Sequence, residues 1–145
     1  MRILLITTHS LATNPRLVKE IDLFVKRGCA VTVVCFEFDN WSATLNDQLL
    51  KQFEKVKIYL IPANRKVFYP WVMSTIVQKV SKSLLLLFPG NSMLISFSYF
   101  KHSYRLKNTL DKMPSEFDWI IAHNPGSFWV SKYYAEKHKI KLHKR

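Results

Sequence analysis

The segment from Arg2 to Phe36 constrains this chain more than any other. RILLIT, Arg2 to Thr7, is a mostly apolar run of the kind a parallel strand shows when helices cover both of its faces. After a polar turn, Leu17, Ile21, Phe24 and Val25 recur at helical spacing, with Lys19, Glu20, Asp22 and Lys26 assigned to the other side. Gly28 stands where a glycine ends a helix, and AVTVVCF, Ala30 to Phe36, is a β-branched second strand. Strand, helix and strand in so short a span make a βαβ unit, whose crossover is right-handed.

The pattern continues along the chain. Phe38 to Gln52 reads as a loop and a short helix, and Val56 to Ile61 as a strand closed by Pro62. Pro70 to Phe88 reads as a long amphipathic helix with Val72, Ile76, Val80, Leu84 and Leu87 on one face, broken by Pro89-Gly90-Asn91-Ser92. Ser98 to Lys112 is a further helix, Phe117 to Ala122 a buried strand and Gly126 to His138 the last helix, followed by the basic tail KIKLHKR. Alternating strands and helices predict a Rossmann-like α/β fold: an open, mainly parallel sheet flanked by helices. The 145 residues suit one domain, since domains run to roughly 100–200 residues. Cys29 and Cys35 flank and end a strand and cannot easily bridge, so they read as free thiols in a reducing compartment. No Cys/His ligand spacing points to a metal.

Ligands of such sheets bind beyond the carboxyl ends of the strands. That directs attention to Thr7 to Arg16 and to His123 to Ser127. The first turn, TTHSLATNPR, has no glycine to cradle a phosphate. Asn14 and Pro15 fit a helix N-cap and first helical position, which leaves His9 and Arg16 as its candidate binding residues. The second turn offers His123 as a candidate catalytic group, Asn124 and Pro125 as a second cap and helix start, and Gly126 as a point of close backbone approach. The acids near it in sequence are Asp118, at the strand's other end, and Glu136, well along the next helix. Neither G-x-G-x-x-G, a Walker loop nor a G-x-S-x-G elbow is present, and no spacing suggests a hydrolytic triad.

Charge supplies a third feature. Twenty-two Lys and Arg face ten Asp and Glu, a formal balance of +12 that favours polyanionic partners. From Arg65 to Lys112 there are eight Lys or Arg and one acid, Asp111, interleaved with aromatic residues. Arg65, Lys66, Trp71, Lys79, Lys82, Lys101 and Arg105 are therefore candidate contacts for an anionic membrane surface. Nucleic acid is disfavoured, because no RNA or DNA motif accompanies the charge. The N-terminal apolar run is too short for a signal sequence, and Pro89-Gly90 interrupts the longest uncharged stretch, Ser83 to Phe100. The expected location is cytoplasmic, with peripheral attachment at the inner face of a membrane.

NPRLVKEIDLFVKRGCAVTVVC, Asn14 to Cys35, and DWIIAHNPGSFW, Asp118 to Trp129, together resemble two segments of the N-terminal domain of family 4 retaining glycosyltransferases of the GT-B architecture. His123 matches the second histidine of that family's D-x-I-H-A-H-D-P segment, and Ile121 stands where the first often is. The resemblance implies transfer of a sugar from a nucleotide diphosphate sugar to a lipid-linked or saccharide acceptor with retention, and no metal or other cofactor. It implies that residues 1–145 form the acceptor-side domain, with His123 near the transferred sugar and His9, Arg16, Asn124 and Gly126 lining the cleft. The family's first-turn glycine pair is absent, which leaves no backbone cradle for the donor diphosphate there. Its nucleotide-binding C-terminal domain is absent too, so this polypeptide alone is expected to be inactive. A second reading stays open on the charge alone: a non-catalytic basic α/β module for a polyanionic partner, RNA or an anionic membrane.

Overall fold

A computed structural model describes residues 1–63 and 67–144. In chain order they form β1 (Arg2–Thr7), α1 (Pro15–Lys26), β2 (Ala30–Glu37), α2 (Ala43–Gln52), β3 (Lys57–Pro62), α3 (Phe68–Leu87), α4 (Ser92–Tyr99), α5 (Ser103–Leu110), β4 (Trp119–His123), α6 (Pro125–His138) and β5 (Lys141–Lys144). The strands lie in the order β3-β2-β1-β4-β5, all parallel. From β1 the chain winds one way through β2 to β3, and the other half winds from β4 to β5. The direction reverses between β1 and β4, where Thr7 pairs with His123 at the strands' carboxyl ends.

Each sheet face carries its own core, because alternate residues of a buried strand point to opposite sides. On one side Ile3, Leu5, Val33 and Cys35 pack with Leu17 and Ile21 of α1 and Phe53 beyond α2. On the other Leu4, Ile6, Val34 and Phe36 pack with Phe97 of α4, Leu106 and Leu110 of α5, and Val130 and Tyr134 of α6. The two cysteines are free; burial and then Glu37 push the Cys35 thiol up to about 12, so it behaves as a small apolar core residue.

Two regions differ from the sequence pattern. The expected single helix from Ser98 to Lys112 is two. α4 starts early, at Ser92, because the Asn91 side chain accepts hydrogen bonds from Met93 N (3.0 Å) and Leu94 N (3.1 Å). α5 then starts afresh at Ser103, whose Oγ donates to the Gly126 carbonyl at 2.6 Å and docks the helix on α6. The basic tail contributes β5: Leu142 packs on the core, while Lys141 reaches over the Trp119 ring and Lys144 over Phe128. These contacts cross the sheet and leave no periodic mark in the sequence.

α3 forms as the periodicity predicts, and its apolar stripe faces outward: Ile76, Val80, Leu84 and Leu87 are exposed, and the fully buried residues are Ser74 and Ser81. α3 packs chiefly on α4, itself rich in serine. Short side chains let the two backbones approach, and Gln78 Nε2 donates to the Ser98 carbonyl across the seam at 3.1 Å. Val77 is the α3 residue that reaches the core.

Candidate functional site

The carboxyl ends of β1 and β4 meet in a web of side-chain hydrogen bonds. Asn124 Nδ2 donates to Thr7 Oγ1 (2.8 Å), and Thr8 Oγ1 donates to Asn124 Oδ1 (2.7 Å). Asn14 Nδ2 also donates to Thr7 Oγ1 (3.3 Å), while Asn14 Oδ1 accepts from Leu17 N as the N-cap of α1. Pro15 follows as the first helical residue, so this half of the local pattern forms as its residue types predict.

Asn124 behaves differently from Asn14. It stands at the N-cap position of α6, yet its side chain caps nothing in that helix. Its backbone sits at φ 65° and ψ 151°, a region that glycine alone occupies easily. The bonds to Thr7 and Thr8 hold it there. The close approach at Gly126 is made by Thr8: a Cβ on Gly126 would lie 2.8 Å from Thr8 Oγ1 and 3.3 Å from the Phe100 ring. The glycine thus lets α6 lie against the first turn.

His123 lies beneath this web. Its side chain is 3% exposed, and its Nε2 is 3.0 Å from Glu20 Oε2, itself buried. A carboxylate accepts, so the ring donates through Nε2–H to Glu20. Glu20 corrects the assignment of this residue to the solvent side of α1: it is buried beside Leu17 and Ile21. The signal was present, since Leu17, Glu20, Ile21 and Phe24 share one helical face.

His9 and Arg16 are exposed at the same end of the sheet, and among the described residues neither side chain makes a hydrogen bond or ion pair. His102, in the link between α4 and α5, is a further site residue that the sequence pattern did not single out. Its ring packs between Phe36 and Phe38, at centroid distances of 5.0 and 5.4 Å, and its buried Nδ1 has no hydrogen-bond partner among the described residues. Burial lowers its pKa to about 4, and the charges of Arg105, Lys101 and His9 add to the effect. This end of the sheet therefore combines a neutral imidazole with three basic groups that raise the local potential.

The membrane-contact candidates among the described residues stand in different surroundings. Lys79 and Lys82 are exposed on α3, whereas Lys101 lies 4.1 Å over the half-buried Trp71 ring. Arg105 faces a cavity of about 600 Å³ between β3, α3 and α5, with Tyr59, Tyr69, Met73, Tyr104 and Lys112 in its walls. Burial lowers the Arg105 pKa, and the guanidinium has no ion pair among the described residues. Arg65 and Lys66 lie outside the described residues. Within the described residues no group of three or more His, Cys, Asp or Glu could hold a metal ion.

No protein-family model matches the chain, and no curated protein matches it in sequence. Solved structures do. The UDP-sugar glycosyltransferase UGT89C1 of Arabidopsis thaliana, solved with UDP-L-rhamnose, is similar over 97% of this chain at 17% identity and a TM-score of 0.53. The same protein solved with UDP gives 97% coverage, 18% identity and a TM-score of 0.53. This chain spans 34% and 32% of those two structures, about a third of their length. The predicted subunit of a tRNA methyltransferase from Methanocaldococcus jannaschii is 12% identical over 99% of this chain and 66% of its own, at a TM-score of 0.43, too loose a likeness to inform the fold. The parallel sheet, its flanking helices and the polar switch point define a Rossmann-like α/β domain. That architecture is consistent with one half of a GT-B fold.

Proposed function

We propose that this domain is the acceptor-side half of a GT-B glycosyltransferase, which moves a sugar from a nucleotide diphosphate sugar to an acceptor with retention. The observation that carries the reading is the switch-point site itself. A buried His123–Glu20 pair and a strained Asn124 stand at the sheet end where His9 and Arg16 are exposed. Strain concentrated at a ligand-binding sheet end is a mark of function. In this reading His9 and Arg16 meet the acceptor or the donor diphosphate, with Asn124 and Gly126 shaping the wall between them. His123 is the catalytic group beside the transferred sugar, and Glu20 holds its ring. Because the His123 side chain is almost wholly covered, its role needs local opening of the turns above it. The nucleotide is left to a second domain.

A lipid-linked acceptor suits the domain better than a free saccharide. The cavity beside Arg105 and Lys112 joins aromatic and apolar walls to cationic groups, the chemistry of a phosphate on a hydrocarbon chain. Ligand-observed NMR on the chain tests the reading, with nucleotide sugars, oligosaccharides and polyprenyl phosphate sugars as probes. Saturation transfer to a polyprenyl phosphate sugar, lost in Arg16→Ala with the fold intact, is the expected result. Saturation of nucleotide sugars alone would place the donor on this half and overturn the assignment. Turnover is expected only when the second domain is supplied, and His123→Ala should then reduce kcat by at least about a hundredfold.

A further inference from the structure

We infer that the α3–α4 hairpin is a membrane-inserting element, its tip seated among the headgroups and upper acyl chains of an anionic bilayer. The sequence places an amphipathic helix here with its apolar residues on one face. The structure turns that face out, with Ser74 and Ser81 against α4 instead. Ile76, Val80, Leu84, Leu86, Leu87 and Phe88 are exposed, Leu86 at 85% and Leu87 at 71%. Met93 and Ile95 continue the surface onto α4 beyond the Pro89-Gly90 turn. An apolar surface this continuous on a water-facing helix pair requires a cover.

Two observations identify the cover as a bilayer. First, the exposed residues lie on opposite sides of the tip. At 100° per residue Leu87 lies about 60° from Leu84 and continues its stripe, whereas Leu86, the most exposed of them, lies about 160° from Leu84. A partner helix or groove covers one stripe of a helix, whereas a fluid acyl layer covers every side at once. Second, the surroundings carry one sign of charge. No Asp or Glu lies between Glu54 and Asp111, and the hairpin's charged groups are Lys79 and Lys82, both exposed. That arrangement suits anionic headgroups above an apolar tip. Among the described residues no helix is long and apolar enough to cross a membrane, so the hairpin lies in the interface.

The inference does not depend on the transferase reading, and its test involves no turnover. The chain is mixed with vesicles of phosphatidylcholine alone or with added phosphatidylglycerol and separated by flotation. The parent is expected to float with the anionic vesicles at least about tenfold more strongly than with neutral ones. Leu86→Glu with Leu87→Glu should reduce that binding by at least about a hundredfold while leaving the thermal midpoint unchanged, since both side chains are in water in the free protein. Lys79→Glu with Lys82→Glu should remove the preference for anionic vesicles. A parent that stays in solution, or a leucine variant that floats like the parent, overturns the inference. So does a parent that is dimeric without floating and becomes monomeric in the leucine variant, which would assign the surface to a second copy.

Discussion

Replacing His102 with phenylalanine should flatten the acid branch of the stability profile. In the folded chain, burial, then Arg105, Lys101 and His9, lower this imidazole's pKa from its ordinary 6.5 to about 4. That lowering corresponds to about 3 kcal/mol, at roughly 1.4 kcal/mol for each tenfold change in proton affinity. The sign follows from proton uptake. Between those two values the unfolded chain carries the proton and the folded chain does not, so acid favours unfolding. The contribution is fully present above about pH 6.5, declines as the pH falls and is gone below about pH 4. His102→Phe keeps a ring between Phe36 and Phe38, removes the titration and removes the partnerless Nδ1. Urea unfolding of both proteins at about pH 7 and about pH 4 should show the parent losing up to about 3 kcal/mol more than the variant. At neutral pH the variant should match or exceed the parent, because an unsatisfied buried nitrogen is gone. Parallel pH profiles would refute the reasoning and place the His102 ring in water.

The other predictions concern the web above His123. Glu20→Ala strips a buried histidine of its partner and should cost about 1–3 kcal/mol in chemical denaturation, with Glu20→Gln costing less because an amide oxygen still accepts. Gly126→Ala forces a Cβ to 2.8 Å from Thr8 Oγ1 and should destabilise by about 1–3 kcal/mol. Adding Thr8→Ala should recover part of that loss, and a strictly additive double variant would deny the clash. At Asn124, Ala and Gly both forfeit the bonds to Thr7 and Thr8, but only Gly relieves the backbone. Asn124→Gly should therefore be the more stable variant by roughly 1 kcal/mol in thermal unfolding, and the reverse order would mean that the positive φ carries no strain.

The βαβ start was readable because short-range signals agree there. RILLIT and AVTVVCF are long enough and apolar enough to be buried strands, and Asn14-Pro15 and Gly28 bracket the helix between them. The same local logic located both turns of the site. It failed where a residue's partner is distant. Glu20 meets His123 across 103 positions, and Asn124 abandons its capping role for Thr7 and Thr8 more than a hundred residues earlier. His102 stands alone between two helices, with no periodic neighbour to mark it.

α3 shows the same division from the other side. Its apolar spacing marks a helical stripe and leaves the direction of that stripe open, because periodicity reports a face and not what the face meets. By itself, then, the sequence determined the parallel α/β class, the first crossover and the sheet end where the two candidate turns lie. These depend on residues a few positions apart along one chain. The tertiary structure decided which acid holds His123, which asparagine is strained and which side of α3 remains in water, since each depends on surfaces that meet only after the sheet is assembled.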